Sequence, residues 1–256
     1  MTILAADILA NFYAFIWPLV RISAALMTVP VLSVEAANAR VRLILSLSLT
    51  AMVFPMYEWP SIDPVSPHGL LTLINEIAIG VLAGMTLQVV TAALLVAGQS
   101  ISATMSLSMA NLLDPTFGNV PVLAQFLMIM GTLIFLGIGG HLLLISLILD
   151  SFRILPIGES LIGLNALKNL LAWSSMIFLG SLLIALPIMA MLMLINLGLG
   201  VVTRAAPSLN IFAVGFPAIL IAGLLLLVIS MGSIGNRIEW LWMQGFSRLR
   251  ELLGAS

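Results

Sequence analysis

Arg21 is the residue whose chemistry most needs an explanation. It lies inside an apolar run just after Trp17-Pro18, where a charge at the centre of a bilayer costs roughly 2.5–3.5 kcal/mol on insertion scales. It therefore needs a counter-charge or a wet cavity. Glu76 and Asp150, each at the edge of another apolar run, are candidate partners; both also read as helix-end residues lying at lipid headgroups. His141 (Gly140-His-Leu) and Asn196 (Ile195-Asn-Leu) are lone polar groups on apolar stretches. That pattern suits hydrogen bonds between helices better than a proton relay. Arg204, at the head of a polar turn, completes the set of possible buried charges and polar helix contacts.

None of these residues falls into a catalytic or metal-binding pattern. The other histidine, His68, sits in a proline-rich loop, and neither histidine has acidic residues at ligand spacing, so no metal and no cofactor are expected. Intramembrane hydrolysis would need a serine elbow with a histidine, or two facing aspartates. Gly232-Ser-Ile-Gly235 and Gly158-Glu-Ser160 lack the elbow pattern, and Asp114 and Asp150 stand in unlike contexts. An enzyme is not expected. With no cysteine in the chain, disulfides, thiolate metal sites and cysteine nucleophiles are excluded together.

The elements that must position these residues follow from composition. Of 256 residues, 62% are hydrophobic and 7% charged, whereas a soluble domain carries about 25% charged residues to keep its surface wet. The expected fold class is an all-α membrane protein. A net charge of -1 without a Lys/Arg cluster gives no basis for binding nucleic acid. The first residues lack the basic region of a secretory leader, and no cleavage is expected. A span takes about 20 apolar residues, and six apolar blocks are found, at 8–34, 43–56, 77–96, 125–149, 170–202 and 211–231. Block 43–56 is short for a crossing. Block 170–202 carries Pro187 and Asn196 and reads as a long kinked helix or a bent hairpin. Gly80 and Gly84 form a small-xxx-small pair, and Gly137, Gly139 and Gly140 crowd another stretch, so close helix contacts are expected at both.

The stretch 97–124 is unusual. Ser100, Ser102, Thr104, Ser106 and Ser108 alternate with apolar residues, a pattern too polar for lipid, before Asn111-Leu-Leu-Asp114-Pro115-Thr-Phe117-Gly118-Asn119-Val-Pro121 breaks any helix. It reads either as a surface loop or as irregular backbone that protein buries or that lines a cavity. The basic residues add a second anomaly. Six crossings would put Arg40, Arg42 and Arg204 on one side and Arg153, Lys168, Arg237, Arg248 and Arg250 on the other, against the positive-inside rule. With one crossing more or fewer before Arg153, all but Arg204 share a side. A conventional six-span topology is therefore not expected.

The segment Arg204-Ala-Ala-Pro207-Ser-Leu-Asn210-Ile-Phe212-Ala-Val-Gly215-Phe-Pro217 resembles the hallmark of the FliR family. The likeness continues, in order, at Ser108-Met-Ala-Asn-Leu-Leu-Asp114-Pro115, Asn119-Val-Pro121-Val-Leu-Ala, Gly140-His141-Leu-Leu-Leu-Ile-Ser and Leu155-Pro156-Ile-Gly158, and extends to the N-terminal block with Arg21. The resemblance implies a core subunit of the flagellar type III secretion export gate in the bacterial inner membrane, at the flagellar basal body. Injectisome homologues share that fold and are the alternative; a small-molecule secondary transporter, which would show paired inverted repeats, is the more distant one. The implied partners are FliP and FliQ subunits in a hetero-oligomer, FlhB and FlhA, unfolded export substrates and membrane lipid. The implied architecture is a cone of stacked helical hairpins, with a FliP-like part over 1–167 and a FliQ-like hairpin over 168–256. Within it a pore plug aligns with 106–121, where Met109, Leu112, Leu113 and Phe117 would be the apolar stopper, next to Asp114, with Pro115 and Gly118 setting its shape.

Overall fold

The computed structural model describes residues 5–30, 38–107, 121–158, 163–205 and 211–254. Among these the elements are helical: α1 (Ala5–Thr28), α2 (Ala39–Val53) with a 3-10 turn at Phe54–Met56, α3 (Pro67–Thr104), α4 (Val122–Gly137), α5 (Gly140–Ile154), α6 (Leu164–Trp173), α7 (Met176–Ala205) and α8 (Ile211–Leu252). Over the described residues, blocks 43–56 and 125–149 fall on α2 with its turn and on the broken pair α4–α5, block 170–202 on α6 and α7, and the others on α1, α3 and α8. Five helical stretches are long and apolar enough to cross a membrane, or six if that pair is one span.

The boundaries differ from the expected ones for local reasons. α3 starts ten residues earlier than its apolar block because Pro67 fits the first helical position and the Ser66 hydroxyl accepts from the Gly69 N–H at 3.0 Å, a helix N-cap. It also runs on through Ser100 and Thr104, which had looked too polar for an apolar helix. Their hydroxyls donate back to the Val96 and Ser100 carbonyls at 2.8 and 3.2 Å, so the helix absorbs its own polar groups. The second block gains Ala39–Arg42 and becomes an 18-residue candidate span, about 27 Å of helix, longer than its apolar letters suggested. In the fifth block the break falls at Ser174-Ser175, while Pro187 lies inside α7 without ending it. Gly137 and Gly139 make a break and not a close contact: Gly139 adopts φ 71°, and both have open space where a side chain would stand; Gly140 is buried at the start of α5.

The chain forms two compact units, each interleaved along the sequence: Met1–Val89 with Gly139–Ser174 and Gln244–Ser256, and Val90–Ile138 with Ser175–Met243. In the first, α1 packs on α2, and Trp17, Ile22, Leu26, Ile79, Leu87 and Ile148 are buried. The Trp173 indole N–H reaches across to the Thr86 carbonyl at 2.9 Å. In the second, Leu94, Leu127, Phe135, Ile188, Ile238 and Trp242 are buried. There the Trp242 ring lies 4.8 Å from Phe135 and its indole N–H donates to the Gly131 carbonyl at 3.0 Å.

The Gly80/Gly84 pair sets the crossing of α1 on α3. A Cβ on Gly80 would lie 2.6 Å from the Arg21 carbonyl oxygen, and one on Gly84 1.9 Å from the Thr28 hydroxyl. The two backbones touch, as small-residue pairs allow. Replacing Gly80 by valine should force α1 off α3 and lower the thermal midpoint of the purified protein; the Gly80→Ala change should lower it less. An unchanged midpoint for both would show that the contact carries no stability.

Candidate functional site

Glu76 lies one turn before Gly80, so the close crossing that the glycine permits brings α1 within reach of it. Arg21 is 1% exposed and Glu76 0%. The Arg21 Nε donates to one Glu76 carboxylate oxygen at 2.6 Å and Nη2 to the other at 3.0 Å, the bidentate fork. Nη1 donates to the Ser151 carbonyl and hydroxyl oxygens at 3.0 and 3.1 Å, and Nη2 to the Leu155 carbonyl at 2.9 Å. Every N–H of the guanidinium thus has an acceptor. The Phe152 ring lies 4.5 Å from its central carbon, a cation–π contact. Ser151 and Leu155 lie at the C-terminal end of α5, where the Ser151 carbonyl also accepts from the Leu155 N–H at 2.8 Å and the Leu155 carbonyl lies past the last helical residue. A cation there also opposes the negative end of the helix dipole. One side chain therefore ties α1, α3 and α5 together.

Asp150, the other sequence candidate for Arg21, is exposed; its neighbour Ser151 is the group that contacts the guanidinium. Ser151, Phe152 and the Leu155 carbonyl were not anticipated; Pro156, which cannot continue a helix, is the signal that could have found them. His141 is exposed on the first turn of α5, Asn196 is half-buried on α7 and Arg204 is exposed in its last turn. The structure does not bring these three to Arg21. Among the described residues there is no group of His, Asp and Glu that could hold a metal ion.

The plug residues Met109, Leu112, Leu113, Asp114, Pro115, Phe117 and Gly118 lie outside the described residues. The two stems of that segment are described, and both belong to the second unit. α3 closes with Ser106 at φ 59°, its N–H donating to the Ala103 carbonyl at 3.1 Å and the Leu107 N–H to the Ser102 carbonyl at 3.0 Å. This is the paired-bond helix stop that usually uses glycine at the left-handed position. Met105 is fully buried and covers Gly223 of α8, where an added Cβ would lie 2.5 Å from its terminal methyl. On the far side Pro121 opens α4, its carbonyl accepting from the Ala124 N–H at 2.9 Å. The stems touch: a Cβ on Gly98 of α3 would lie 2.3 Å from the Ala124 Cα.

The family described as bacterial export proteins, family 1, matches residues 12–245. The chain is 37% identical over 240 residues to the flagellar biosynthetic protein FliR of Escherichia coli K12, covering 93% of this chain and 92% of that one. The FliR of Pectobacterium carotovorum is 40% identical over the same shares, and that of Bacillus subtilis 168 is 28% identical over 96% of this chain and 97% of its own. None of these relatives carries an enzyme's name.

Removing one partner of a buried ion pair leaves an uncompensated charge, at about 3–5 kcal/mol. Glu76→Ala should therefore cost most of the stability or yield of the purified protein. Arg21→Met combined with Glu76→Met should recover much of it, because no charge is then stranded. Thermal melts of the single and double variants decide; a double variant worse than the single would mean that the pair is favourable in its own right.

Proposed function

The chain belongs to the bacterial export proteins, family 1, as an integral component of the flagellar export apparatus in the inner membrane, and we propose that within it the segment 106–121 plugs the export pore. FliP and FliQ subunits would complete the wall around it, FlhB and FlhA would be its neighbours, and unfolded flagellar proteins its cargo. The supporting observation is the pair of packed stems: α3 and α4 meet at Gly98 and Ala124 and hold both ends of the segment. The Ser106 turn and Pro121 end helix on either side of it. Met109, Leu112, Leu113 and Phe117 are the apolar stopper, with Asp114, Pro115 and Gly118 at its bend. Apolar side chains in a narrow passage exclude water and ions by dewetting, and a loop can be displaced by an entering chain without dismantling a helix.

The long rods α6–α7 and α8, joined by a short connection, support a FliQ-like hairpin over 168–256 following a FliP-like part over 1–167. Apolar helices of this kind fit a wall made with other subunits in a helically stacked cone, where His141, Asn196 and Arg204 find polar partners on neighbouring chains. The Arg153 guanidinium over the Tyr57 ring supports counting the pair α4–α5, broken at Gly139, as one crossing, so that the end of α5 shares a side with the end of α2. Arg40, Arg42 and Arg204 then lie opposite Arg153, Lys168, Arg237, Arg248 and Arg250, against the positive-inside rule, which supports helices sheltered by other subunits as much as by lipid.

Deleting 111–119 should leave the assembled gate intact but let ions leak, measured as conductance of the reconstituted complex. A tight deleted pore would overturn the plug. Because the chain has no native cysteine, single cysteines are clean topology probes. Cysteines placed at Glu58 and at Arg153 should react with an impermeant thiol reagent from the same side; labelling from opposite sides would overturn the proposed topology.

A further inference from the structure

The end of α3 is seated in a notch on α8. Met105, which follows the last helical residue, is fully buried and lies along Gly223. A Cβ on Gly223 would stand 2.5 Å from the Met105 terminal methyl, 2.7 Å from its sulfur and 2.8 Å from its Cγ, so the missing side chain of the glycine makes room for a whole thioether. The turn beside this seat carries two unfavourable features. Ser106 is the one non-glycine at positive φ among the described residues, at 59°, a conformation that strains an L residue and persists only where the surroundings hold it. The buried Ser102 hydroxyl has no partner among the described residues, which is a second cost. The packing of Met105 on Gly223 is the contact that offsets both.

The two sides of the seat are fixed to different degrees. α3 meets α4 backbone to backbone at Gly98 and Ala124. Around the notch, by contrast, α8 buries only a narrow seam: Gly223 and Leu227 face inward, while Leu224, Leu225 and Val228 are exposed. A shift of α8 would carry the notch away from Met105 without breaking a directional bond, because a thioether holds by packing alone. We infer that Met105 is a positioning residue of the gate: seated on Gly223 it holds the stem of 106–121 in its closed arrangement, and displacement of α8 releases it. The strain at Ser106 and the unpaired Ser102 hydroxyl then favour the release. This inference rests on the plugging role proposed above for 106–121 and adds which helix controls that segment.

Cross-linking tests the seat in the assembled gate without emptying it. Met105→Cys with Gly223→Cys puts a sulfur where the Met105 Cγ now stands, within reach of the second thiol, and the chain has no cysteine of its own. Oxidation should join the two and abolish export of flagellar proteins in inverted membrane vesicles; reductant should restore it, and the cysteine-free parent should export equally under both conditions. A pair that does not cross-link, or a cross-linked gate that exports like the reduced one, would overturn the inference. Conductance of the reconstituted complex gives a second measurement. Gly223→Val, which leaves no room for Met105, should leak as the 111–119 deletion does, and Met105→Ala combined with Gly223→Val should be tight again. A double variant that still leaks counts against the seat. A gate that leaks on deletion of 111–119 but stays tight with Gly223→Val overturns the seat and leaves the plug standing, whereas a gate tight in both overturns the two together.

Discussion

Taking a guanidinium and a carboxylate out of water costs several kcal/mol for each ion, and their attraction repays this only when the remaining donors and acceptors are also paired. Arg21 on α1 meets that condition through contacts with two other helices at once: the fork on Glu76 from α3, and the two carbonyls and a hydroxyl from the end of α5. The requirement propagates outward. α1 must approach α3 to within backbone contact, which Gly80 and Gly84 permit, and α5 must stop where the Leu155 carbonyl faces the guanidinium, a stop that Pro156 favours. Phe152, whose far neighbours are Trp59 and Tyr57, extends the same cluster to those two rings. A single buried charge thus specifies a crossing, a helix end and a ring cluster.

The second unit has no buried ion pair among its described residues and is specified by shape. Trp242 fills the space beside Phe135 and uses its N–H on the Gly131 carbonyl; Gly98 admits the Ala124 backbone; Gly223 admits Met105. Such contacts depend on the absence of a side chain at one point and so define a register without directional bonds. The difference suits the two units to different tasks. A charge-locked cluster resists rearrangement, because any movement strands an ion. The stems of 106–121, the segment proposed to plug the pore, are held instead by packing, in which a flexible methionine can shift over a glycine at small cost.

Much of this was legible in the residues. The helices, their approximate number and the special status of Arg21 follow from hydropathy and from the cost of an intramembrane charge. The Gly80/Gly84 spacing announced a close contact, whereas the break expected from Asn111 to Pro121 lies, apart from Pro121, outside the described residues. What could not be read had specific causes. Ser100 and Thr104 look polar as letters but are self-satisfied in a helix. Pro187 looks like a breaker, yet an apolar helix tolerates it, while the actual break sits at the inconspicuous Ser174-Ser175. Gly137 and Gly139 look like contact residues but serve a turn, because a positive φ and a close approach select the same amino acid. The partners of Arg21 on α5 are mostly backbone atoms, which carry no sequence signature apart from the helix end that exposes them.

The outer surface of α7 bears on what surrounds the chain. Ile184, Ile188 and Leu192 are buried on one side, while Leu182, Leu183, Leu186, Met193, Leu194 and Leu197 are exposed on the others. A helix apolar all round is one that nonpolar matter surrounds on every side. Lipid and protein supply that equally well, so hydropathy alone does not separate them, and the polar residues on the same helix must. Asn196 is half-buried, and among the described residues its amide has no hydrogen-bond partner within the chain. Against hydrocarbon that amide would be left unpaired at several kcal/mol, whereas against another helix it forms a bond. The C-terminal half of α7 is therefore better accounted for by a neighbouring subunit than by acyl chains, and the same reasoning leaves the all-apolar stretch around Leu182, Leu183 and Leu186 as the part that lipid can cover without penalty.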